Sequence, residues 1–148
     1  MNYTCYAPSN VPDRQQYEAI SRFLFEHLDV YGDPIADIRK CMDYALGEGN
    51  TPGGFILTAE DGGLITSAVV VNETGMGGYI PENILVYIAT HKHHRGKGIG
   101  KQLMKHAIDR AKGDIALHVE PENPARRLYE SLGFTNKYLE MRLKKGGS

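Results

Sequence analysis

Tryptophan is absent from this 148-residue chain, cysteine occurs twice, and the net charge is −1. The low charge and the two cysteines each narrow the reading. A near-neutral chain carries no global attraction for nucleic acid or for an anionic membrane. Cys5 and Cys41 stand apart with no CxxC, so a structural disulfide is not expected, and a reducing cytoplasm is the expected setting. No window nears the ~20 apolar residues that cross a bilayer. No apolar run after a basic start marks a signal peptide.

What is present is ordinary for a globular protein: 41% apolar and 24% charged residues, with 17 glycines and 7 prolines falling between periodic segments. The length fits one domain, 1–148, with 145–148 read as a disordered tail. Residues 3–7 read as a short strand. Tyr17, Ile20, Phe23, Leu24 and Leu28 then follow the helical period over 13–28. Ile35, Ile38, Met42 and Ala45 mark a second helix that Gly47 and Gly49 close. Residues 55–59 and 64–71 predict strands joined by the turn "EDGG". The near-continuous apolar run "NILVYIAT" at 83–90 predicts a strand buried on both faces.

After that run comes "HRGKGIG", in which Gly96, Gly98 and Gly100 precede a helical face of Ile99, Leu103, Met104, Ala107, Ile108 and Ala111. Glycines let a backbone turn with positive φ and approach an anion, and a helix N-terminus offers free N–H groups and partial positive charge. Arg95, Lys97 and Lys101 add cations that suit two linked phosphates. Two nucleotide fingerprints fail: Gly100-Lys101 is followed by Gln102 rather than Ser or Thr, and no third glycine completes GxGxxG. "DIALHV" at 114–119 reads as a strand. Asn123 and Pro124 open a helix as N-cap and first residue, and Gly133 stops it. Strict alternation over 138–144 and a short run near 134 predict further strands. Strands clustered mid-chain and alternating with helices later imply an α/β protein with a mixed sheet covered by helices.

The segment "LHVEPENPARRLYESLGF" at 117–134, with Arg95-x-x-Gly98-x-Gly100 between strand and helix upstream, closely resembles the GCN5-related N-acetyltransferase (GNAT) superfamily. That resemblance implies a GNAT fold: a mixed central β-sheet with a splayed strand pair, flanked by about four helices. It implies an N-acetyltransferase moving an acetyl group from acetyl-CoA to a primary amine by direct nucleophilic attack. By the same likeness Ile88, Ala89 and Thr90 meet the pantetheine arm. The segment Arg95, Gly96, Lys97, Gly98, Ile99, Gly100 and Lys101 holds the pyrophosphate, and Asn123 and Arg126 add cofactor contacts. Tyr129 matches the tyrosine that protonates the departing thiolate, a role a phenol with a pKa near ~10 can fill at neutral pH.

The base is left open among three residues, Glu82 before the buried strand, His118 as the lone polar residue inside "IALHV" and Glu120 near its end, the last two sharing one strand face, and a chain of water molecules that needs none of them. The acceptor, a small-molecule or peptide amine, is expected between the first two helices and the loop 72–80, where Glu26, Asp29 and Asp33 offer negative charge. His91, His93 and His94 lie close together, but nothing is spaced to complete a metal site and none is expected. A homodimer is the family-based expectation. The rival readings are a non-catalytic acetyl-CoA-binding sensor or interaction module and, more weakly, a generic nucleotide-binding domain.

Overall fold

A computed structural model of the chain describes residues 1–146. Two compact units emerge from its contacts, Met1–Leu117 and His118–Ser148. The first holds a five-stranded sheet in the order β1-β2-β3-β4-β5, with β1 Asn2–Tyr6, β2 Gly54–Asp61, β3 Leu64–Glu73, β4 Asn83–Thr90 and β5 Ile115–Ala116. Neighbours from β1 to β4 pair antiparallel, and β5 joins β4 in parallel. The β2–β3 hairpin turns on Gly62 and Gly63, both at positive φ (58° and 83°). That is the backbone a two-residue turn matched to strand twist requires.

Helices α1 (Arg14–Leu28), α2 (Ile35–Ala45) and α3 (Ile99–Arg110) cover this sheet. Asp13 starts α1 with a reciprocal cap, its side chain accepting from Gln16 N while Gln16 Oε1 accepts from Asp13 N. Ile20, Phe23 and Leu24 of α1 and Ile38 and Met42 of α2 bury their apolar stripes against Ile56, Ala68, Val70 and Tyr87. The alternate residues Phe55, Leu57, Val69 and Val71 are buried as well. They face α3, whose Leu103, Met104 and Ala107 are fully buried.

Three sequence expectations change here. The strand expected at 114–119 shrinks to Ile115–Ala116. Its ladder partners among the described residues are Asn83 and Ile84, after which β4 bends away through a bulge: Val70 lies opposite Tyr87 and Val71 opposite Leu85, leaving Val86 as the extra residue. A bulge adds local twist, so the two strands part, and a strand ends where its partner leaves. The same bulge sends Leu85 and Tyr87 to opposite faces, since adjacent β3 residues face opposite sides. Burial on both faces of β4 is achieved in this way, while Ile84 and Val86 each remain 37% exposed.

In the second unit, α4 (Ala125–Ser131) forms in the expected segment. The strands expected near 134 and over 138–144 do not, and Leu139, Met141 and Leu143 lie exposed. Alternation fixes which side chains share a face, but a strand exists only through ladder bonds to a partner. Part of the expected tail, residues 147–148, lies outside the described residues.

Candidate functional site

β4 is where the sheet opens. His91 N donates to Thr66 O of β3 at 2.8 Å, and alternation along an antiparallel ladder then turns the backbone groups of Ile88 and Thr90 to the opposite edge. Among the described residues no strand pairs with them there, because β5 ends at the Ile84–Ala116 pair. Ala89 turns its backbone to β3, where its carbonyl accepts from Ser67 Oγ at 2.9 Å. A peptide-like chain could therefore add to this edge through Ile88 and Thr90.

The open edge runs into the glycine loop. A short 3-10 turn, Lys92–His94, leads through Arg95 to Gly98, which caps α3 in a left-handed conformation at φ 78°. Gly96 adopts φ 81°, and a Cβ at either glycine would point into open space. Gly98 gives α3 no side-chain cap, and the first turn holds no acidic residue. Among the described residues, no backbone N–H over 96–101 donates to a protein acceptor. Free donors at a helix N-terminus suit an anion. Lys97 and Lys101 are exposed beside it.

Arg95, expected as a cation for the phosphates, is engaged within the protein. Its Nε donates to Thr90 O at 3.2 Å and its Nη2 to His27 O at 2.8 Å. The guanidinium thus ties the end of β4 to the end of α1.

At the break between α1 and α2, Asp33 Oδ2 accepts a 2.5 Å hydrogen bond from Tyr87 Oη. Burial and then that hydrogen bond raise the Tyr87 pKa, so its proton stays in place. The loop 74–82 is anchored elsewhere, at the Asn83 end of β4. Glu82 accepts there from Asp114 N at 2.7 Å and Gly78 N at 3.3 Å. These backbone donors, Asp114 first, hold its carboxyl below the usual carboxylate range. Cys41 and Cys5 are free thiols, and burial pushes Cys41 up to about 12. A thiol so protonated is a poor nucleophile.

In the second unit, α4 starts one residue later than expected, with Pro124 at its N-cap position; Asn123 Oδ1 still accepts from Ala125 N at 2.9 Å, which leaves its amide N–H groups free among the described residues. Arg126 pairs with Glu130 at 3.5 Å. Tyr129 is 8% exposed, packs edge-on against Phe134, and makes no side-chain hydrogen bond to a described residue. Burial pushes its phenol up to about 12. His118 and Glu120 are exposed and lie outside any strand, so the shared strand face expected for them does not form. Among the described residues no three His, Cys, Asp or Glu side chains could hold a metal ion, and no helix is long and apolar enough to cross a membrane.

The sequence reading missed His27, the Tyr87–Asp33 bond and the anchoring role of Glu82. His27 left a trace in the sequence, since it extends the apolar stripe of Ile20, Phe23 and Leu24 by one turn as a polar residue.

The site is thus an α/β sheet opened at one strand, with that strand feeding an uncapped helix N-terminus. A family model described as an acetyltransferase (GNAT) domain matches residues 52–136. The chain belongs to that family and is an acetyltransferase.

Among solved structures, the chain is similar to the ribosomal-protein-alanine N-acetyltransferase from Brucella melitensis biovar Abortus 2308, at 17% identity and TM-score 0.66, covering 99% of this chain and 100% of that one. It is similar to the aminoglycoside antibiotic 6'-N-acetyltransferase AAC(6')-IG from Acinetobacter haemolyticus, at 16% identity and TM-score 0.69, covering 100% of both chains. A chain of the NatC complex bound to Gag peptide and CoA matches at 22% identity and TM-score 0.64, covering 91% of this chain and 86% of that one. At these identities the likeness is one of fold. Among curated proteins no match is found.

Proposed function

We propose that the protein transfers an acetyl group from acetyl-CoA to a primary amine by direct attack of the amine on the thioester carbonyl. The observation that carries this reading is the row of free backbone N–H groups over 96–101 at the uncapped end of α3. In this reading the pyrophosphate lies on those amides beside Lys97 and Lys101, with Arg95 bracing the loop. The pantetheine arm adds along β4, meeting Ile88 and Thr90 and passing Ala89. Asn123 and Arg126 carry the cofactor contacts of their motif.

Acetyl-CoA supplies an activated acyl group, and the chain's task is to align it, exclude water and move protons. Tyr129 gives its proton to the departing sulfur. Burial keeps that phenol protonated at neutral pH. Asp33, held by Tyr87, receives the acceptor's ammonium group. Of the three candidate bases, Glu82 is already bound to backbone donors. His118 and Glu120, exposed to water, are better suited to carry the ammonium proton away. With Cys41 protonated, no acyl-enzyme is part of the reading. The whole chain acts as one domain, as a homodimer in the cytoplasm, and sedimentation measures the assembly.

The test is acetyl-CoA-dependent thiol release across small amines, amino acids, aminoglycosides, peptide N-termini and protein lysines. Release with at least one class is expected. CoA binding without release in every class would replace the enzyme with a sensor, and no CoA binding would overturn the loop assignment.

A further inference from the structure

The donor loop does not stand alone, because the turn before it is gripped from α1. His27 is 5% exposed at the end of the buried stripe of α1, and its ring packs on Phe23 (4.6 Å between centroids) and on His91 (4.2 Å). Its Nδ1 accepts from Lys92 N at 3.1 Å. In the last turn of α1 its carbonyl has no helical partner, and Arg95 Nη2 takes it at 2.8 Å. We propose that His27 is the positioning residue of the donor loop: by ring nitrogen and carbonyl it fixes the turn over 90–95, and its neutral ring is a condition for tight binding of the acyl donor. This rests on the reading of 96–101 as the acetyl-CoA pyrophosphate site.

The chemistry is specific to the neutral ring. With Nδ1 accepting, the single proton sits on Nε2, whose nearest acid is Glu26 at 3.8 Å. A second proton would have to go on Nδ1, where it would meet the Lys92 N–H, donor against donor. The charged and titratable groups facing the ring are His91, Lys92 and Arg95, which oppose that second proton, and Glu26, which favours it. His93 and His94 stand in turn against His91. Burial leads these effects and His91 follows, so the folded pKa lies below the ordinary 6.5. The grip is then complete above about pH 6.5 and is lost as the pH falls through the lowered folded value.

Two variants separate the grip from mere packing. His27→Phe keeps an aromatic ring but has no acceptor. His27→Asn offers a carbonyl oxygen near the Nδ1 position and does not titrate. CoA affinity from pH 5.5 to 8 and amide hydrogen exchange of the ligand-free protein are measured for both. The Phe variant is expected to weaken CoA about tenfold at pH 7.5, as loss of one hydrogen bond predicts, and to speed exchange at Lys92. The Asn variant is expected to restore both and to keep its affinity in acid where the wild type loses part of its own. Wild-type exchange at Lys92 in the Phe variant, or an unchanged acid loss in the Asn variant, overturns the proposal. If the wild type binds no CoA, the donor-site reading fails and the affinity condition fails with it, while exchange at Lys92 in the same two variants still decides whether His27 holds the turn.

Discussion

Tyr129 holds a phenol that burial keeps protonated to about pH 12, so a proton is on hand at neutral pH without a neighbouring base to hold it. Tyr129→Phe is expected to lower kcat by about 10²-fold while CoA affinity stays near wild type, since general acid catalysis is worth at least that much. Steady-state kinetics beside a CoA titration check it, and unchanged turnover removes Tyr129 from the mechanism. No alkaline limb assignable to Tyr129 is expected below pH 10. Gly98 makes a second point at this scale. A methyl group there meets no atom, but the left-handed backbone at φ 78° disfavours any side chain. Gly98→Ala is expected to cost roughly 1–2 kcal/mol of stability and to raise the KM for acetyl-CoA. Denaturant unfolding and kinetics read the two effects separately.

At the scale of elements, the divergence of β4 and β5 depends on what holds them together before they part. Glu82 does so by accepting from Asp114 N, and Gly113 beside it must stay bare, since a Cβ would fall 2.4 Å from Glu82 Oε1. The Glu82 carboxyl is held below its ordinary pKa of 4.5 in the fold. Its contribution is therefore present above pH 4.5 and lost as the pH falls through the lowered value. Between pH 3 and 6 the Tm of the wild type should fall more steeply than that of Glu82→Gln, by calorimetry. Asp13→Ala, which removes the α1 cap, is expected to cost about 1 kcal/mol in urea unfolding.

Elements whose cause is local were legible in the sequence: α1 from its apolar stripe, the β2–β3 turn from its paired glycines, and α4 from Asn123-Pro124. Where the cause lies in a partner, legibility failed. Nothing in "DIALHV" says that the neighbouring strand bulges at Val86, and nothing in the alternation of 138–144 supplies a ladder. The candidate site divides the same way. The glycine loop is a matter of backbone and could be read directly, whereas the attachments of Arg95, His27 and Glu82 join residues far apart in sequence.

Over the whole molecule, a ligand that occupies the open edge and the loop should stabilise the native state by mass action. Acetyl-CoA at 100 times its Kd is expected to add about 2.7 kcal/mol, seen as a rise in Tm that grows with concentration. No rise at millimolar concentration would argue against the donor site. The bond from Arg95 Nε to Thr90 O carries a lesson for inhibitor chemistry. The carbonyl of Thr90 is already engaged, so the edge presents both a donor and an acceptor at Ile88 but chiefly a donor at Thr90. A strand-mimicking inhibitor should therefore place an amide opposite Ile88 and a bare carbonyl, ester or sulfone opposite Thr90; a second N–H there would have to compete with a guanidinium.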